Sequence, residues 1–134
     1  MAPRKIKIRQ EEKTTAKDYL KKAEDNHKAM LSALCDKNFN AVGTLALQCT
    51  ISSSDAICVY EKGIRSISED HFDVCDLVNS ITLPDAKEKS ALLRRIISKK
   101  NLIQYERRNI YESEANELVK ASSRFYQWVV SNIE

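Results

Sequence analysis

Turn-forming residues are scarce in this chain, whose 134 residues include 2 glycines and 2 prolines. Sheet-rich folds need many turns, whereas a few long helices need only a few, so the composition points to an all-α class. Histidine is equally scarce, at 2 residues. No nucleophile–histidine–acid arrangement can be assembled, and no catalytic residue can be assigned from the residues alone. Two glycines cannot build a glycine-rich phosphate loop either. The cysteines Cys35, Cys49, Cys58 and Cys75 contain no Cys-x-x-Cys pair. All four sit among apolar residues and read as buried reduced thiols, so neither a metal nor a cofactor is expected. No apolar run approaches the roughly 20 residues of a membrane span, and the basic N-terminus lacks the apolar stretch of a signal peptide. The expectation is a cytoplasmic protein with no membrane partner.

What is present suits one domain. Hydrophobic residues make up 43% and charged residues 31%, with a net charge of +3. The positive charge is gathered in two places. Arg4, Lys5, Lys7 and Arg9 lie in a basic arm; Arg94, Arg95, Lys99, Lys100, Arg107 and Arg108 form a second region. Residues 1–12 carry no helical pattern. Ile6 and Ile8 alternate with charges as in a strand, yet no partner strand is evident, so a flexible basic arm is expected. Residues 13–134 read as one helical bundle.

Apolar spacing of three and four residues defines the helices. The first runs from about Thr15 to Cys35, capped by Thr14 or Thr15, with an inward stripe that includes Tyr19, Leu20, Ala23, His27 and Met30. The second runs from about Asn40 to Glu61 and is apolar on several sides, so it should be buried on several sides. Its small residues, among them Gly43, Ala46, Ser53 and Ala56, permit close neighbours, and Gly63 is placed to terminate it. After a loop at 64–69, a short helix is expected from Asp70 to Ile81, with Ser68 as cap. A fourth helix is expected from Asp85 to Glu106, loosened near Lys99-Lys100-Asn101. A fifth begins at Ser113, where Ser113-x-x-Asn116 is an imperfect capping box. The architecture expected is an antiparallel up-and-down bundle of four long helices plus one short helix.

Several positions carry chemistry. Asp55 falls among small and apolar residues, and a buried carboxylate needs a partner, expected to be an arginine. His27 lies on an apolar stripe and reads as a core or interface histidine bonded through one ring nitrogen. His71 and Asp73 open the short helix. Arg107, Arg108, Asn109 and Tyr111 precede the last helix; two guanidinium forks beside an amide and a phenol can clamp a phosphate.

Four segments in this order resemble the HEPN family. They are Ala16-Lys17-Asp18-Tyr19-Leu20-Lys21-Lys22-Ala23, Ser52-Ser53-Ser54-Asp55-Ala56, Asp70-His71-Phe72-Asp73-Val74 and Tyr105-Glu106-Arg107-Arg108-Asn109-Ile110-Tyr111. The resemblance spans roughly residues 14–133. It implies a helical bundle, commonly a homodimer, that acts as a metal-independent ribonuclease, accompanies a small nucleotidyltransferase, or binds nucleotide or RNA without catalysis. Arg108 and Asn109 match the first two positions of the family's nuclease motif. Position 113, where a histidine is expected, is serine, and no histidine follows His71. The expectation is therefore a noncatalytic nucleotide- or RNA-binding module built on Arg107, Arg108, Asn109, Tyr111, Asp55 and His71, with Asp55 orienting Arg108. The alternatives are a ribonuclease toxin of a toxin–antitoxin system and a helical partner subunit of a nucleotidyltransferase.

Overall fold

A computed structural model describes residues 6–134. A short strand, β1 (Ile8–Gln10), and a 3-10 turn (Lys13–Thr15) lead into helices α1 (Ala16–Cys35) and α2 (Phe39–Lys62). Strand β2 (Ile64–Ser66) comes directly after α2. Helices α3 (Phe72–Asn79), α4 (Ala86–Ile97), α5 (Lys100–Gln104) and α6 (Glu112–Asn132) complete the chain. The all-α class holds, and a two-stranded antiparallel ribbon is added to it.

Helix α2 is the centre. Helices α1 and α6 pack along it, and α3 and α4 close one end. Thirteen of its residues are buried, from Val42 to Val59. By length and composition α2 could cross a membrane, but 72% of that apolar stretch is buried inside its own bundle. Small side chains make this burial possible. The hydroxyls among them return to carbonyls one turn back: Thr50 to Ala46 at 2.8 Å, Ser53 to Cys49 and Ser54 to Thr50 at 2.7 Å each. Buried hydroxyls without such partners would each be costly. On α6, Phe125 is fully buried with Trp128 tilted against it, ring centroids 5.8 Å apart. His27 behaves as a packed histidine: Nε2 meets Ser123 Oγ at 3.0 Å and its ring stacks on Tyr126 at 4.6 Å. Burial lowers its pKa.

Four local expectations are corrected. The arm of residues 1–12 is not wholly loose, because Ile8 pairs with Ser66, Arg9 with Arg65 and Gln10 with Ile64. Its partner strand arises where a loop was expected, immediately after Gly63. That glycine ends α2 in the left-handed conformation at φ 64°, and its carbonyl accepts the Glu11 N–H at 2.9 Å. Arg4 and Lys5 lie outside the described residues. The fourth helix breaks after Ile97 into α4 and α5, the second starting within the Lys99–Asn101 stretch. Cys35 is exposed, unlike the three other thiols. Finally, the Thr15 hydroxyl does not cap α1 but donates to the Glu12 carbonyl at 2.7 Å.

Gly43 sets how closely the segment before α6 can approach α2. A Cβ there would stand 2.4 Å from Ile110 Cδ1 and 3.2 Å from Ile103. The bare backbone of α2 thus seats that segment. Replacing Gly43 with alanine should cost about 1–3 kcal/mol by overpacking, read by urea denaturation. Combining it with Ile110→Val, which removes the colliding methyl, should cost less than the sum of the two single changes.

Candidate functional site

The structure divides the expected site residues into two groups, set near opposite ends of α2. Asn40 opens α2 and faces the junction before α6. Asp55 lies fifteen positions later, about 22 Å along the axis and about 60° around it. Between them Thr44 and Gln48 are exposed and Ile51 is half-buried.

At the junction, Asn40 acts as a clamp. Its Oδ1 accepts the Ile110 N–H at 2.9 Å and its Nδ2 donates to Asn109 Oδ1 at 3.1 Å. With Ile110 buried over Gly43, the backbone of residues 109–111 is fixed from both sides. Arg107 is exposed, and among the described residues nothing pairs with it. Arg108 is committed. Its Nη1 and Nη2 donate to the two oxygens of Glu114 at 2.9 and 2.8 Å, and its guanidinium lies 4.6 Å from the Tyr111 ring centroid. Glu114 Oε1 also accepts the Tyr111 N–H at 2.9 Å, which closes the first turn of α6. The capping acid is therefore Glu114, one position beyond the expected Ser113 and reaching back to Tyr111 rather than forward to Asn116. The hydrogen bond from Arg108, then that from the Tyr111 amide, hold its carboxyl down at about 2. Tyr105 and Tyr111 are 72% and 62% exposed, large for aromatic rings with no solvent role of their own. Tyr105 was visible in the sequence only as part of the family resemblance.

The expected link from Asp55 to Arg108 does not exist. Asp55 pairs with Arg65, whose Nε donates to Oδ2 at 3.1 Å. Strand β2 carries Arg65 back over the end of α2, and the guanidinium also lies 5.1 Å from the Tyr19 ring centroid. Tyr19 in turn donates to Glu11. An arginine partner was foreseen for Asp55; which arginine was not, because it depends on the β1–β2 pairing. Burial pushes the Asp55 carboxyl up to about 6 against the pull of Arg65. His71 reaches the same place from the start of α3, and with Asp55 and Arg65 it lines a pocket of about 260 Å³. Burial, then Lys100, lowers the His71 pKa. Ser68 and Asp70 shape this entry. The Ser68 hydroxyl accepts the Asp70 N–H at 3.2 Å and the Asp70 carboxylate accepts the Phe72 N–H at 2.9 Å. Among the described residues no cluster could hold a metal.

No protein-family profile matches the chain, and no curated protein matches it. A crystal structure of an archaeal HEPN homologue does share its architecture. At 18% sequence identity it aligns over 89% of this chain and 98% of its own length, with a TM-score of 0.63. The fold is HEPN-like.

Asp55 binds a proton more readily folded than unfolded, so between its ordinary value near 4 and about 6 the folded state holds the extra proton. The Asp55 contribution to stability should accordingly rise as pH falls through 6 toward 4, by about 3 kcal/mol, against the lowered pKa values of His27 and His71, which act the other way. Asp55→Asn should remove that contribution in urea melts recorded across pH 5–7, a window above the range from 4.5 to about 2 in which the opposing Glu114 contribution is lost.

Proposed function

We propose that this chain is a noncatalytic HEPN-like module that binds single-stranded RNA at the junction before α6. The observation that carries this reading is the pairing of two adjacent arginines with two exposed tyrosines on a backbone held by Asn40 and Gly43. Single strands are bound by cationic side chains that meet phosphates and by rings on which bases stack. Arg107 and Arg108 supply the first, Tyr105 and Tyr111 the second. Glu114 supports the assignment from within: it already lies on the Arg108 fork with the two-point geometry of a bound oxyanion. A phosphate would exchange with it. Arg107 needs no exchange and makes the first contact.

The same region extends along α4 and α5. Arg95 and Lys99 line a pocket that Glu114 and Glu117 share, so the surface is cationic but not uniformly so. In a homodimer two junctions facing one cleft would add their charges and lengthen the strand that can be bound. Ser113 at the position of the motif histidine removes the group that would assist attack by a ribose hydroxyl. Retention of RNA without cleavage is the expected behaviour.

Filter binding of a labelled single-stranded RNA to the full chain tests this. Arg107→Ala should weaken binding across sequences and reduce the salt slope by about 0.7. Tyr105→Ala and Tyr111→Ala should each cost about 1–3 kcal/mol with little change in that slope. Glu114→Gln, which releases the Arg108 fork, should tighten binding. Retention indifferent to all four changes overturns the proposal, and metal-independent cleavage lost in Arg108→Ala would replace it with a nuclease.

A further inference from the structure

The pocket at the other end of α2 has a chemistry the junction does not share. Asp55 is 6% exposed, yet its hydrogen bond to Arg65 uses a single carboxylate oxygen, Oδ2. Arg65 in turn uses a single donor, Nε. Among the described residues Oδ1 of Asp55 and both terminal nitrogens of Arg65 are left with hydrogen-bonding capacity. Arg65, its side chain 32% exposed, and Asp55 both line the pocket, so this unused capacity is open to a molecule that enters it. Asp55 and Arg65 offset each other in charge, so the site does not favour a phosphate or a second carboxylate, which Asp55 would repel. Ile51, Ile67 and Val74 supply its apolar walls. Ile67 is 46% exposed, a large apolar side chain at the pocket without cover. A volume of about 260 Å³ lies below the usual range of drug-sized pockets, which begins at about 300 Å³, and suits one flat ring.

These features together describe an uncharged planar ring with a polar edge held between aliphatic walls. The edge that complements one acceptor beside two donors is one donor beside two acceptors. Cytosine carries that edge: its N4 amino group donates, and its N3 and O2 accept. We propose that the pocket bounded by Asp55, Arg65 and His71 is a second binding site, separate from the junction, that takes a cytosine ring. The N4 amino group donates to Asp55 Oδ1, N3 and O2 accept from the Arg65 terminal nitrogens, and the ring lies between Ile51, Ile67 and Val74. Uracil places a carbonyl oxygen against Oδ1 and an N–H against the arginine donors, so acceptor faces acceptor and donor faces donor.

The probe is cytidine, which carries no phosphate for Arg107 and Arg108 to meet; stacking on Tyr105 or Tyr111 would lie away from the methyl groups that are followed. It is titrated into the full chain while the isoleucine and valine methyl resonances are followed by NMR. Saturable shifts should appear at Ile51, Ile67 and Val74, and uridine should bind at least about tenfold more weakly, the cost of mismatched hydrogen-bonding groups. Arg65→Lys keeps the charge beside Asp55 and removes the fork, so it should weaken cytidine by about tenfold, whereas Arg107→Ala should leave cytidine binding unchanged. Absence of saturable shifts, equal binding of cytidine and uridine, or dependence on Arg107 would overturn the proposal. If Arg65→Lys fails to fold, which its own methyl spectrum reveals, the uridine comparison on the unaltered chain decides. Either failure leaves RNA binding at the junction to stand or fall by its own test.

Discussion

Burial of α2 on nearly every side is the constraint on which the rest of the structure depends. A helix can accept neighbours all round only if its side chains are small or their polar atoms are satisfied locally. Both conditions hold here. Thr50, Ser53 and Ser54 bond to carbonyls of their own helix, and Thr50 also meets Ser122 of α6 at 3.1 Å. These hydroxyls sit in the core with their hydrogen bonds made, so close helix approach carries no large desolvation cost. Gly43 extends the principle to the loop before α6, where a side chain would collide with Ile110.

A rigid central helix then fixes two surface features at a set spacing. Its first turn holds the junction through Asn40, and its last third presents Asp55 to a strand that returns over it. The left-handed Gly63 makes that return possible, since it turns the chain directly from α2 into β2. Each feature is thereby held by hydrogen bonds to α2, through Asn40 at one and Asp55 at the other. That is what a binding site requires if little ordering is to be done when a ligand arrives.

The helical architecture was legible in the sequence because its signal is local. The stripes of α1 and α6, the all-round apolarity of α2 and the role of Gly63 need only neighbouring residues to be read. What was not legible depends on contacts between distant segments. Ile8 looked like a lone strand because β2 is three residues long and succeeds a helix without a gap. Arg65 could not be named as the partner of Asp55 until that ribbon formed. At the junction, Arg107, Arg108, Asn109 and Tyr111 do come together, but the pairing of Arg108 with Glu114 rather than Asp55 turns on where α6 begins, a boundary of one or two residues. The break between α4 and α5 was foreshadowed by Lys99-Lys100-Asn101; its position after Ile97 was not.

The claim on which the functional reading rests is that RNA contacts the tyrosines of the junction. Photocrosslinking of a short single-stranded RNA containing 4-thiouridine, followed by peptide mapping, addresses it directly. The account predicts crosslinks at Tyr105 and Tyr111. Crosslinks confined to the β1–β2 ribbon or to the outer face of α1, with the junction unmarked, would contradict it.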